Sequence, residues 1–225
     1  LLPGIVGRFI EQEFEEDIDT LRSFYLSQGY ADAGIQYDLQ ASSPQGAVTP
    51  RVDIDEGPHY VVDFSGNDFF SDRKLKKAMA LYTQGNQYGS GVRKSVRQIE
   101  AKYRDAGFLE AKAAYEIHDA AENGAPVKQV VIKIDEGPRS QVEEIDIQGN
   151  QLFKDSKIRR QMLTRTQGFL RSGAYDPEAL SDDVSAIRNL YRQAGFLDTS
   201  VERQVDFSHD RRQVDIALEI QEDVR

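Results

Sequence analysis

Apolar and polar positions along the chain recur in three blocks. Phe14, Ile18, Leu21 and Tyr25 are spaced 0, 4, 7 and 11. Val92, Val96, Ile99 and Tyr103 share that spacing, as do Leu180, Val184, Ile187 and Tyr191. Such a stripe predicts an amphipathic helix of about three turns. In every block a Gly follows the Tyr by four residues and an aromatic follows the Gly: Gly29-Tyr30, Gly107-Phe108 and Gly195-Phe196. Gly at the end of a helix takes the left-handed conformation, and an apolar residue after it folds back on the last turn. The three tyrosines recur with the stripe and are read as core. Asp176-Pro177 supplies an N-cap and first-turn pair for the third helix.

After each helix the period changes from 3.6 to 2. Ile35, Tyr37 and Leu39 alternate with polar residues; so do Ala113, Tyr115 and Ile117, and Val201, Arg203, Val205 and Phe207. Turn residues follow (Ser42–Gly46, Glu122-Asn123-Gly124 and Ser208-His209-Asp210), and then return strands around Val52–Ile54, Val130–Ile134 and Val214–Ile220. Alternation of this kind predicts a sheet with one covered and one wet face. Two blocks also have an opening: strands at Tyr60–Phe64 and Val142–Ile147, each running into Gly-Asn (Gly66-Asn67, Gly149-Asn150) and a short helix. Phe70 and Phe153 are placed as staples at its start, and Leu75, Ala78 and Met79, or Ile158, Met162 and Leu163, form its buried face. Its N-cap is left between Ser71 in one copy and Asp155 in the other.

The unit is thus strand, helix, helix, strand, strand, an α+β arrangement with a three-stranded mixed sheet and two helices on one face. We divide the chain into 1–58, a partial repeat holding only the second helix and the hairpin, and two complete repeats, 59–138 and 139–225. Asp55-Glu56-Gly57-Pro58 and Asp135-Glu136-Gly137-Pro138 form short junctions, each with limited bending. The partial repeat is expected to expose apolar surface around Phe9, Phe14 and Tyr37, and a dimer through it is a natural outcome. The sequence opens Leu1-Leu2-Pro3-Gly4, which reads as an excised or processed piece.

Composition removes several classes of function. Net charge is −10 with pI about 4.9, the wrong sign for nucleic acid or anionic lipid. Without any Cys there is no disulfide frame, thiolate metal site or cysteine nucleophile. His59, His118 and His209 stand at no metal-ligand spacing, and Lys133 occupies the place that Asp53 holds in a strand end resembling a calcium loop. We therefore expect no metal, no cofactor and no enzymatic activity.

The unit order, the Gly-Asn turn, the Tyr-x-x-x-Gly-aromatic helix end and the Ile-Asp-Glu-Gly-Pro close resemble polypeptide-transport-associated (POTRA) domains of BamA/TamA-like outer-membrane assembly and translocation proteins. The third repeat departs at its close, with Ile220-Gln221-Glu222-Asp223. This would fit a last unit before a β-barrel. The resemblance implies a periplasmic arm tethered to the outer membrane of a Gram-negative bacterium or related organelle. It also implies a C-terminal membrane barrel in the parent chain, periplasmic accessory proteins, and a client that is unfolded outer-membrane protein or passenger polypeptide. An extended client can pair with an unpaired strand edge irrespective of its sequence. The family places that edge on the strand after the second helix. The polypeptide-binding candidates are Ala113, Ala114, Tyr115, Glu116 and Ile117, and Val201, Glu202, Arg203, Gln204 and Val205. Phe169, Leu170 and Arg171, in a long loop, are partner-contact candidates. The alternative is a scaffold that docks folded subunits, whether assembly-complex lipoproteins or division-type components.

Overall fold

The computed structural model describes residues 9–42, 47–168 and 171–222. It comprises two compact units, 1–99 with 113–134 and 100–112 with 135–225. The fold is α+β. Helix α1 (Glu11–Ser27) leads to the hairpin β1 (Gly34–Ser42) and β2 (Ala47–Asp55). The next repeat runs β3 (His59–Ser65), α2 (Asp72–Ala78), α3 (Gly91–Asp105), β4 (Lys112–Glu122) and β5 (Ala125–Asp135), with two short 3-10 turns between its helices. The last runs β6 (Gln141–Gln148), α4 (Asp155–Arg159), α5 (Pro177–Gln193), β7 (Ser200–Phe207) and β8 (Gln213–Gln221). Sheet orders are β1-β2, β3-β5-β4 and β6-β8-β7. The first strand of each complete repeat lies parallel to the last, and β7 is antiparallel to β8. Both edges of each three-stranded sheet are thereby set: β3 and β4 in one, β6 and β7 in the other.

All three long helices end alike. The N–H of Tyr30, Phe108 and Phe196 is donated to the carbonyl of Tyr25, Tyr103 and Tyr191, at 3.0, 3.0 and 3.1 Å. The Gly before each aromatic has φ of +97°, +95° and +93° and bonds one residue further along, to Leu26, Arg104 or Arg192. This doubly bonded turn satisfies carbonyls that the helix leaves open. The paired aromatics touch edge to face, Tyr103 to Phe108 at 5.6 Å and Tyr191 to Phe196 at 6.3 Å.

The helix-end tyrosines do more than pack. Tyr103 and Tyr191 donate their hydroxyls to Glu136 and Glu222, both at 2.8 Å. Tyr25 lies near Glu56, and its pKa is raised by burial first and then by that carboxylate. In both complete repeats the glutamate of the strand close is therefore the partner of that repeat's tyrosine. Burial first, then the Glu222 hydrogen bond, raises the Tyr191 pKa far above the ordinary tyrosine range. Tyr25, expected in the core, is only half-buried. Its repeat supplies one long helix and two strands, with Ile18, Leu26 and Ala31 buried. The equivalent stripes Val92, Val96, Ile99, Tyr103 and Leu180, Val184, Ile187, Tyr191 are all buried.

In the last repeat the core is continuous from Ile158 and Met162 through Leu180, Val184 and Ile187 to Val201, Val214, Ile216 and Leu218. Leu163, expected on the buried face of the short helix, is 70% exposed. The backbone there is pinned instead: the buried Asp183 carboxylate accepts the N–H of Leu163 and, at 2.9 Å, that of Thr164. In the preceding repeat Ser95 has the same role, accepting the Leu81 N–H at 2.9 Å. The N-cap positions are Ser71 and Lys154, and Asp72 and Asp155 are already helical. Neither cap side chain bonds its helix. The Asn67 and Asn150 amides reach Asp72 and Asp155 at 2.9 and 2.8 Å and hold the turn from outside.

Gly149 shows why that turn needs glycine. Its φ is +78°, and an added Cβ would lie 2.0 Å from the Ile220 carbonyl oxygen. Gly124, in the β4–β5 turn, has φ +85° with nothing within 4 Å. Gly149→Ala is expected to lower stability by more than about 2 kcal/mol, whereas Gly124→Ala costs about 1 kcal/mol for its backbone alone. Urea unfolding of both variants reads the difference.

Candidate polypeptide-binding edges

β4 is eleven residues long, five beyond the end read from its alternation. The Asn123-Gly124 turn, with φ of +50° and +85°, is the two-residue kind that matches strand twist and so extends the ladder. No strand lies outside β4 among the described residues. Ala113 is half-buried, and Ala114 through Ile117 are exposed. Glu116 pairs with Lys133 of β5 at 2.9 Å and with His118 at 3.5 Å on the wet face. Lys133 holds the Glu116 carboxyl below the usual range, by hydrogen bond and then by charge. Tyr115 and Ile117 point to the opposite face and are 40% and 43% exposed. From Tyr115 onward the strand thus offers a sheet edge beside two uncovered apolar side chains.

β7 differs. Val201 is 2% exposed and belongs to the core, so its side chain meets no client. Its carbonyl accepts from the Arg188 guanidinium of α5 at 2.9 Å. In an antiparallel pair a residue's N–H and C=O point the same way, and successive residues alternate. The outer edge of β7 is therefore presented by Val201, Arg203, Val205 and Phe207, with its first acceptor already taken. Arg203 stands where β4 has Tyr115, and Val205 is half-buried. Glu202 and Gln204 turn to the wet face, where they line a groove of about 520 Å³ with Gln148 and Ala217–Glu219. Sequence reasoning grouped all five residues together; the structure divides them into ladder, core and groove. Arg188 was missed because a helix arginine carries no signal of the carbonyl it will reach.

Phe169 and Leu170 lie outside the described residues. Arg171 is exposed, and its N–H is donated to the Gly168 carbonyl at 3.0 Å.

The wet face of the last sheet is strongly acidic. Glu202 is directly opposite Glu219, and Asp206 opposite Asp215, which also neighbours Glu144. Like charges facing across strands are destabilising.

The comparisons agree with this architecture. The POTRA family profile, described as a surface antigen variable number repeat, matches residues 61–137 and 140–223. The chain belongs to the POTRA family. A Treponema pallidum protein provisionally described as an outer membrane protein assembly factor is 31% identical over 188 residues, 76% of this chain and 22% of that protein. The outer membrane protein assembly factor BamA of Neisseria meningitidis is 23% identical over 213 residues, 91% of this chain and 26% of that protein. The chain thus spans about a quarter of the length of these curated relatives. Among solved structures, the POTRA3-5 fragment of Haemophilus influenzae BamA matches with 22% identity and a TM-score of 0.34, covering 96% of this chain and 83% of that one. In POTRA terms β4 and β7 are the strands that follow the second helix.

Glu219→Lys turns the Glu202 repulsion into an attraction and is expected to raise stability by about 0.5 kcal/mol. A lower urea midpoint for this variant would contradict that reading of the face.

Proposed function

We propose that this chain is a segment of the periplasmic arm of an outer-membrane assembly or translocation protein. In this reading it takes unfolded β-barrel or passenger polypeptide by edge-strand addition and presents it to a membrane barrel elsewhere in the parent chain. The repeats are 1–58, lacking its first strand and helix, 59–138 and 139–225. The observation that carries the proposal is β4: eleven residues at a sheet edge, with Tyr115 and Ile117 uncovered beside it. Main-chain pairing demands no client sequence, and the two apolar side chains favour clients with apolar residues at alternate positions. β7 is the secondary edge, narrowed by Arg188.

Two further features support the reading. The helix end of one repeat takes the first strand of the next: Tyr60 N–H is donated to Gly29 O at 2.9 Å, and Ser140 N–H to Gly107 O at 2.8 Å. Each junction also has a side-chain lock, Tyr60 hydroxyl on Asp32 at 2.8 Å in one and Ser140 hydroxyl on Arg211 O at 2.7 Å in the other. An arm that guides a client needs such junctions. The charge of −10 also keeps the arm off anionic lipid headgroups.

The test is an amide-resolved NMR titration of this chain with extended peptides from a β-barrel protein. Shifts and slowed exchange along Ala113–Ile117 are expected, with weaker effects on Arg203 and Val205. Arg188→Ala should free the Val201 carbonyl and strengthen the β7 response several-fold. A folded chain with no shifts at millimolar peptide would overturn strand addition and leave the scaffold for folded partners as the better account.

A further inference from the structure

The opposite edge of the middle sheet carries a second opening, and the last repeat shows what fills such a place. In the last repeat the outer side of β6 is taken by the chain itself. Val142 N–H is donated to Gly173 O at 2.7 Å, and Gln167 N–H to Val142 O at 2.8 Å. Gln141 and Ala174 form an antiparallel bridge. Further along, the Arg159 guanidinium caps the Ile145 carbonyl. The connection between α4 and α5 thus adds backbone and a cation to that edge.

β3 has the matching position and no such cover. Parallel pairing sets Val62 opposite Val130 and Ile145 opposite Ile216, which makes Val62 the counterpart of Ile145. Tyr60 gives its N–H to Gly29, outside the sheet, so alternation turns the main chain of Val62 and Phe64 to the same outer side. Among the described residues, neither makes a hydrogen bond on that side. The α2–α3 connection goes elsewhere, with Asn86 N–H donated to Ala31 O at 2.8 Å. What remains beside β3 is a largely apolar groove of about 520 Å³ lined by Tyr60, Val61, Val62 and Tyr82, with Lys76 and Lys77 at its rim. Lys76 stands where Arg159 stands in the last repeat, one residue past the buried Leu75 or Ile158. Among the described residues no carboxylate lines the groove, although the chain carries ten more acidic than basic groups.

We infer that the β3 edge of the middle repeat is a second strand-addition site, distinct from β4. It takes a short extended peptide whose apolar side chains enter the groove and whose carboxylate meets Lys76 and Lys77. The occupied β6 edge shows the geometry: an extended backbone on the outer side with a cation beside it. The inference rests on the reading that this chain handles extended polypeptide, and adds to it a place and a preference for acidic groups.

The probe is a capped heptapeptide of alternating valine and threonine ending in glutamate, titrated into the isotope-labelled chain. Val62 and Phe64 amides are expected to shift and exchange more slowly. Lys76→Glu with Lys77→Glu should weaken binding at least tenfold, and the Gln pair serves if the Glu pair unfolds. Methylating alternate peptide nitrogens should abolish binding, since main-chain pairing is lost while side chains and charge remain. Unchanged Val62 and Phe64 amides at saturation would overturn the inference. So would binding indifferent to methylation, which marks a simple amphiphile in the groove, or indifferent to charge reversal. Shifts on β4 alone would remove this site and leave the proposed function standing; shifts nowhere would remove both.

Discussion

A hydrogen bond between a helix-end tyrosine and a strand-end glutamate closes each complete repeat on itself. Tyr103 and Tyr191 are fully buried, and an unpartnered phenol there would cost free energy. A hydrogen bond to a charged acceptor contributes about 1.5–3 kcal/mol. The bond also fixes where the helix stops, because the same tyrosine's carbonyl receives the N–H of the aromatic two residues past the helix cap. The Gly between them turns the chain back, and its own carbonyl faces outward to take the next strand. One residue therefore sets helix length, the end of the central strand and the anchor of the following repeat. Glu222 extends the clasp, since it also accepts the Leu152 N–H at 2.9 Å and so holds the Gly-Asn turn.

The partial repeat shows what happens when the helix end persists without the rest of its core. Tyr25 still lies near Glu56, and α1 keeps the aromatic turn, yet Phe14, Leu21 and Tyr25 are only half-buried. Phe9, Phe14 and Tyr37 cover one another instead, with ring centroids 5.7 and 5.1 Å apart. The helix stripe is the same as in the other repeats, so its burial is decided by the elements packed against it rather than by the stripe.

That contrast explains how much was legible in the sequence. Periodicity and the Gly-aromatic ending describe local backbone, and they located all three long helices and every strand, missing by five residues the starts of β2 and β5 and the far end of β4. There the alternation fades into Asp119, Ala120 and Ala121, residues with weak strand preference, and the tight turn carries the ladder through them. The Tyr–Glu clasp was hidden because its partners lie 31 to 33 residues apart, and the glutamate looked like a solvated strand end. The candidate edges were legible as strands, since edge position follows from unit order. Whether each edge is open was not, because that depends on which side chain or loop arrives from elsewhere, as with Arg188 on Val201.

Small differences between the two complete repeats decide the state of their edges. From Gly57 to Gly66 the chain advances nine positions, and from Gly137 to Gly149 twelve. Two of the three extra residues, Arg139 and Ser140, lie before β6, and one lengthens the strand and admits the irregularity between Val142 and Glu144. A longer strand gives the α4–α5 connection something to pair with, and the connection seals it. An exposed edge invites aggregation as readily as it invites a client. The last repeat guards both of its edges, with Arg159 and its own loop on β6 and Arg188 on β7. Its wet face adds mutually repelling carboxylates, which disfavour stacking against another acidic surface. The middle repeat keeps β4 at a sheet edge from Tyr115 onward and flanks that stretch with charges such as the Glu116–Lys133 pair. Charges on the wet face hinder sheet-on-sheet association but leave the outer N–H and C=O groups from Tyr115 onward approachable. A single extended chain can therefore still approach β4 edge-on, where a second folded sheet is disfavoured.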